Sequence, residues 1–300
     1  MTLDLFHLTA KFQASAMLPA EERIQIIKRD RWIGYTLATE ALVELKNLFL
    51  WPKRQRMVNM LIIGPTNNGK SMIIEKFKKQ HPQHISKDQY QEIIPVLTVQ
   101  MPSDPSIKRF YTMVMYAINY PLTRRQTLPE LEVLVLQVMK KTQVKMLVID
   151  ELHNILGGSR NVRNEFLNLL RFLGNELKIP IVGVGTEDAY RAIRTDDQLE
   201  NRFTPFILPR WKEGNELIKL LVSFTSILPL RFPSQLSSPE MMRYILTRTE
   251  GTIGEISNFL TYAAILAIES GEESINSKTL SLTEYDNPSE RKKKFEREVI

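Results

Sequence analysis

The sequence predicts an α/β fold: a parallel sheet with helices on it, preceded by a helical extension and followed by a small helical domain. Three observations predict it. Gly64-Pro65-Thr66-Asn67-Asn68-Gly69-Lys70-Ser71 fits the phosphate-loop pattern G-x-x-x-x-G-K-[ST], between an apolar run (Met57 to Ile63) and a helix-compatible stretch (Ser71 to Lys79). Met146-Leu147-Val148-Ile149 is a strand apolar on both faces that ends in Asp150-Glu151. Strand and helix signals then alternate from residue 57 to about residue 210.

Each motif carries a chemistry. Glycines let backbone N–H groups converge on phosphate oxygens, and the helix that follows adds the positive end of its dipole. Lys70 is placed to reach β- and γ-phosphates, and Ser71 to ligate Mg²⁺. Ligands of open α/β sheets bind beyond the carboxyl ends of the strands, where Asp150 and Glu151 fall. Asp150 suits the Mg²⁺ shell, and Glu151 suits polarising a water that attacks the γ-phosphate. The implied cofactors are therefore ATP and Mg²⁺.

Composition narrows the class. The chain has 300 residues, enough for one large α/β domain and a smaller one, and is 43% hydrophobic and 25% charged. Its apolar runs fall short of the roughly 18 residues of a membrane helix. The first residues lack the basic stretch and apolar core of a secretory signal, and there is no cysteine. Disulfides, thiolate metal sites and cysteine catalysis are excluded, and a cytoplasmic location is expected. His7, His81, His84 and His153 are scattered; His153, just after the acidic pair, suits positioning or packing. The net charge of +6 permits nucleic-acid binding without requiring it.

Along the chain, residues 1–56 read as a helical extension, with a helix start at Leu18-Pro19-Ala20-Glu21-Glu22 and helical spacing from Ala38 to Leu50. Residues 57–210 form the α/β core. After the loop helix, Ile93 to Val99 reads as the second strand, followed by helices near Ser106–Ile118 and Leu128–Lys141. The acidic-pair strand is third. Asn161 to Leu177 is an amphipathic helix with Phe166, Leu169, Leu170 and Leu173 on one face, and Ile179 to Thr186 is the fourth strand. Residues 211–285 read as a helical lid, with helices at Asn215–Leu228, Ser238–Thr249, Thr252–Ser270 and near Ser277. Residues 286–300 read as a charged, solvated and frayed helical tail.

Taken together, these motifs resemble the AAA+ ATPases, and more closely the TniB family of transposition regulators, relatives of TnsC. The resemblance spans nearly the whole chain. It rests on Arg31-Trp32-Ile33-Gly34-Tyr35, the phosphate loop, Val148-Ile149-Asp150-Glu151-Leu152-His153-Asn154, the run from Glu165 to Glu176, Asp197-Gln198-Leu199-Glu200-Asn201-Arg202-Phe203, and Glu250-Gly251-Thr252-Ile253-Gly254-Glu255. It implies that Ile33, Gly34 and Tyr35 lie against adenine, where a packed helix junction is the alternative. It implies that Thr186 is the first sensor and that Arg202 reaches a neighbouring subunit's nucleotide, with Arg191 and Arg194 as competitors for that role. One departure stands out. Many AAA+ lids carry an arginine soon after a glycine, touching the γ-phosphate, whereas here Glu255 stands near that place.

An arginine supplied by a neighbour requires a head-to-tail interface, which closes into a ring or runs on as a helical filament. The resemblance implies such an assembly around double-stranded DNA, with phosphates met by lysines and arginines. Candidates are Lys108, Arg109, Arg124 and Arg125, for which ordinary solvated charge is the alternative. The expected function is a bacterial cytoplasmic AAA+ ATPase that oligomerises on DNA with ATP and Mg²⁺. It would recruit or activate an integrase-like transposase for target selection, with a TniQ-type targeting protein as a further partner. The rivals are a helicase-loader-like ATPase, a metabolic P-loop kinase and a non-hydrolysing nucleotide-gated scaffold.

Overall fold

A computed structural model describes residues 4–86, 90–123 and 126–299. In chain order the elements are α1 (Ala10–Ala16), α2 (Ala20–Ile27), α3 (Thr36–Phe49), β1 (Asn59–Ile63), α4 (Lys70–Gln80), β2 (His84–Ile85), β3 (Glu92–Ile93), β4 (Val96–Gln100), α5 (Ile107–Ala117), α6 (Leu128–Lys141) and β5 (Met146–Asp150). A 3₁₀ turn (Leu152–Gly157) leads to α7 (Arg160–Leu177), β6 (Ile181–Gly185), α8 (Glu187–Ile193), α9 (Asp197–Glu200) and β7 (Phe203–Ile207). The remaining helices are α10 (Asn215–Thr225), α11 (Pro239–Thr249), α12 (Ile253–Glu269), α13 (Ser277–Leu282) and α14 (Pro288–Val299). Helix starts follow capping chemistry. Ser106, Ser159, Asp196, Ser238 and Asn276 each accept a first-turn N–H, and Glu130 reaches back to the amide of Thr127 at 2.8 Å.

The chain forms two compact units. One comprises Glu40–Thr66 and Lys70–Pro209, the other Met1–Thr39, Asn67–Gly69 and Arg210–Ile300. In the first, five parallel strands are ordered β4-β5-β6-β1-β7. Both β1 and β6 are buried at every position, which explains why all but Asn59 of their residues are apolar or glycine. Side chains alternate across the sheet. Leu61, Ile63, Leu147 and Ile149 join a cluster with Phe110, Tyr111, Val135, Phe166 and Leu170 of α5, α6 and α7. Asn59, the one polar residue of β1, is satisfied by accepting the N–H of Ile181 at 2.9 Å.

The sheet differs from the sequence expectation in two places. Ile93 to Val99 is not one strand. Pro95 faces the neighbouring strand β5, where its carbonyl accepts the Lys145 and Met146 amides but it has no N–H to give back, and the run splits into β3, which pairs antiparallel with β2, and β4, which joins the main sheet. A fifth strand, β7, follows α9. It carries Pro205 and pairs only with β1, an edge position where a missing N–H is tolerated.

The second unit buries an all-helical core that includes Leu217, Leu221, Phe224, Ile256, Phe259, Leu260 and Ala263, with Ile27 and Ile33. Arg23 of α2 is only 2% exposed and forks onto Glu273 at 2.6 and 2.7 Å. Burial alone would raise the Glu273 carboxyl, but the hydrogen bond and charge of Arg23, helped by Arg231, hold it below the usual range. Glu273→Gln should therefore destabilise the chain by about 3–5 kcal/mol in urea titration near neutral pH, because it strands a buried guanidinium. A carboxyl with a lowered folded pKa stabilises above its unfolded value and loses that stabilisation as pH falls. The gap between wild type and variant should accordingly narrow in acid, below about pH 4.

Candidate functional site

The main-sheet connections reverse direction at β1. The chain leaves it for the far edge at β4, returns through β5 and β6, and crosses to β7 on the other side. Such a switch point opens a crevice at the carboxyl ends of the strands. Ile63 pairs with Gly185, and the Gly64 amide donates to the Gly185 carbonyl at 3.2 Å, so the phosphate loop leaves β1 beside the start of Thr186.

Lys70, the first residue of α4, is buried, and its ammonium donates to the carbonyls of Gly64 at 2.8 Å and Pro65 at 2.6 Å. Burial lowers its pKa, and the nearby charges of Glu151 and Asp150 offset part of that. The Ser71 hydroxyl donates to Asp150 Oδ2 at 2.9 Å, while Asp150 Oδ1 accepts the Glu151 amide at 2.8 Å. A hydroxyl and a carboxylate in contact make an oxygen donor pair of the kind Mg²⁺ takes, with phosphate and water completing its shell. No group of three metal-ligating side chains of the His, Cys, Asp and Glu type occurs among the described residues.

Glu151 adopts a left-handed conformation, φ 55°, at the strand's end. Its carboxylate lies 3.1 Å from His153 Nε2. A carboxylate only accepts, so the Nε2 that faces it carries a proton. The His153 Nδ1 and the Thr186 hydroxyl are buried, and neither has a partner among the described residues. Two unsatisfied polar atoms beside the acidic pair are what a site built for polar cargo leaves open. The His153 contact is one that sequence reasoning did not specify; its position two residues after Glu151 was the only signal.

The loop tip clusters with the helical unit. Gly69 has φ +82°, a region that disfavours side chains, and a Cβ there would stand 3.4 Å from the Tyr35 hydroxyl and 3.2 Å from Ile253. Tyr35 meets Trp211 edge to face at 5.2 Å, and burial pushes its phenol up to about 12. Ile33 is buried in the same unit's core. A Cβ on Gly34 would meet only Trp32 Nε1, at an ordinary 3.7 Å, so packing within the chain does not demand glycine there.

The three candidate arginines differ. Arg191 pairs with Glu187 and Asp188 of its own helix, and Arg194 with Glu200 at 2.8 Å. Arg202 is half-buried and donates to Asn175 at 3.1 Å. Burial lowers its pKa, and the positive charges of Arg56 and Arg171 lower it further against the pull of Asp196. With Arg56, Gln198, Asn201 and Thr204 it lines a cavity of 450 Å³. Arg56, in a basic run before β1, went unnoticed in the sequence. Lys108 and Arg109 are exposed in the first turn of α5, and Arg124 and Arg125 lie outside the described residues. Arg202→Ala removes one hydrogen bond and relieves two repulsions. Its unfolding free energy by denaturant titration should stay within about 0.5 kcal/mol of wild type.

Comparison with known proteins follows the geometry. A family model described as "Bacterial TniB protein" matches residues 23–213. No curated protein matches by sequence. Among solved structures, Cdc6p from Pyrobaculum aerophilum is similar at TM-score 0.55 and 15% identity, over 84% of this chain and 67% of that one. The Aeropyrum pernix ORC1 protein, solved in complex with DNA, gives 0.54 and 12%, over 86% and 67%. Drosophila ORC bound to DNA gives 0.53 and 11%, over 91% and 71%. The fold is that of the AAA+ P-loop NTPases.

Proposed function

The chain belongs to the bacterial TniB protein family, and from that membership we propose that it is a Mg²⁺-dependent ATPase that assembles on double-stranded DNA. In the bacterial cytoplasm it recruits or activates an integrase-like transposase and helps choose the target, with a TniQ-type protein as a further partner. The observation that carries the nucleotide reading is the Ser71–Asp150 hydrogen bond at 2.9 Å beside a buried Lys70. A buried ammonium with a lowered pKa gains counter-charge from a triphosphate, and the hydroxyl–carboxylate pair gains a divalent cation.

Gly64 to Gly69 would wrap the phosphates with backbone N–H groups, and Lys70 would hold the β- and γ-phosphates. Ser71 and Asp150 would hold Mg²⁺, which supplies neutralisation of phosphate charge. Glu151, steadied by His153, would orient and deprotonate the attacking water, with Thr186 donating to the γ-phosphate or to that water. Ile33, Gly34 and Tyr35 would receive adenine. Arg202 from an adjoining copy would stabilise charge developing on the phosphoryl oxygens, a role that its local repulsion by Arg56 and Arg171 leaves energetically favourable.

Calorimetry with ATP and Mg²⁺ should register uptake by wild type and none by Lys70→Ala. Glu151→Gln should bind nucleotide yet turn over at least about 10²-fold more slowly; normal turnover would remove Glu151 from its role. Arg202→Ala should bind but not hydrolyse. Mixing it with Lys70→Ala should restore turnover, since one copy then supplies the nucleotide and the other the guanidinium; no recovery would refute supply across an interface. DNA affinity should fall linearly with log salt, and replacing Lys108 and Arg109 together should lower the slope by about 2 if both contact phosphates.

A further inference from the structure

Glu255, the departure from the AAA+ lid pattern noted in the sequence, stands in the first turn of α12 and is buried to 5% exposure. A carboxylate so placed must be satisfied locally, and it is. Oε2 accepts the Tyr285 hydroxyl at 2.5 Å and the Arg291 guanidinium at 2.7 Å, and Oε1 accepts Asn67 Nδ2 at 2.9 Å. Asn67 is the fourth residue of the Gly64–Gly69 loop, and Glu255, Tyr285, Arg291 and Asn67 all belong to the helical unit.

The loop tip and α12 are joined by more than this bond. The Gly254 amide donates to the Asn67 carbonyl at 3.0 Å and the Ile253 amide to Asn68 Oδ1 at 3.3 Å. First-turn amides of α12, which have no partner inside a helix, are thus capped by the loop. A Cβ on Gly254 would fall 1.8 Å from Asn67 Oδ1, so residue 254 must be glycine for the two to meet. Asn67 itself is left-handed, φ 58°, so its backbone depends on neighbours to hold it.

The tail differs from the frayed segment that the sequence suggested. α14 is anchored at its start, where the Ser289 amide donates to Glu250 Oε1 at 2.9 Å and Glu290 accepts the Asn287 amide at 3.0 Å. Arg291 also lies 5.8 Å from the centre of the Tyr285 ring, which itself packs on Phe259. Burial, then the hydrogen bond and charge of Glu255, push the Tyr285 phenol well above its ordinary value.

We propose that Glu255, held by Tyr285 and Arg291, is a positioning residue that fixes the tip of the phosphate loop through Asn67, and that helix α14 thereby takes part in nucleotide binding. The guanidinium that the lid helix lacks comes from the C-terminal helix and acts through a carboxylate rather than on phosphate. The proposal rests on the nucleotide reading of the loop. By linkage, whatever Arg291 contributes to nucleotide affinity, nucleotide returns to α14.

The test uses the full-length chain and a fluorescent ATP analogue with Mg²⁺. Glu255→Gln and Arg291→Ala should each weaken binding about fivefold or more, the equivalent of one lost hydrogen bond of ordinary strength. The double variant should be little weaker than either single one. Tyr285→Phe, which keeps the ring and drops one donor, gives a milder version should either variant fold poorly. Hydrogen exchange supplies a readout independent of turnover: nucleotide should slow exchange across residues 288–299 in wild type and not in Glu255→Gln. Wild-type affinity in all three variants, with melting temperatures lowered or not, would reduce the network to a structural role and overturn the proposal. In that case the nucleotide reading would stand as long as Lys70→Ala still abolished uptake. No uptake by wild type would end both.

Discussion

The closure of a fully buried parallel ladder governs the first unit. The amides of β5, β6 and β1 have no water to turn to, so each must find a carbonyl on its neighbour. Even the start of the ladder obeys this, with Asn59 lending a side-chain oxygen to Ile181 where backbone pairing begins. Parallel pairing then sets the strand ends side by side, with Ile63 opposite Gly185 and Ile149 opposite Gly183. Asp150, Thr186 and Gly64 are each the last or next residue of such a strand. Polar groups that would be intolerable one residue earlier gather here because the ladder stops.

The parts of this fold legible in the sequence were those where a single local rule decided the outcome. Apolar runs without alternation marked β1, β5 and β6, and the spacing of Phe166, Leu169, Leu170 and Leu173 marked α7, all four being buried. Two rules in conflict produced the misses. Ile93 to Val99 is apolar enough for one strand, but Pro95 forbids a continuous ladder, and backbone chemistry prevails over hydrophobicity. In β7, Pro205 and the exposed Thr204 and Ile207 hide a strand that exists because β1 offers it a free edge. That edge is a property of topology and is written nowhere in residues 203–207.

The candidate site divides along the same line. Lys70, Ser71, Asp150 and Glu151 were legible because a loop and a strand end bring them together over short stretches of chain. Arg56 beside Arg202, 146 positions later in the sequence, and Arg291 on Glu255 depend on long-range packing that spacing does not encode. The charged tail illustrates the limit. Its composition resembles that of a solvated helix, and most of it is exposed, yet one arginine in it finds a buried carboxylate. A single long-range ion pair leaves no periodic trace.

Pro205 has a bearing beyond the fold of one copy. β7 is the rim of the sheet, and a rim with free N–H and C=O groups invites another chain to add itself as a strand. A ring nitrogen without hydrogen interrupts that invitation halfway along the strand, where continuous cross-chain pairing would need a donor. Copies of this protein are thereby discouraged from fusing sheet to sheet into an irreversible β-aggregate.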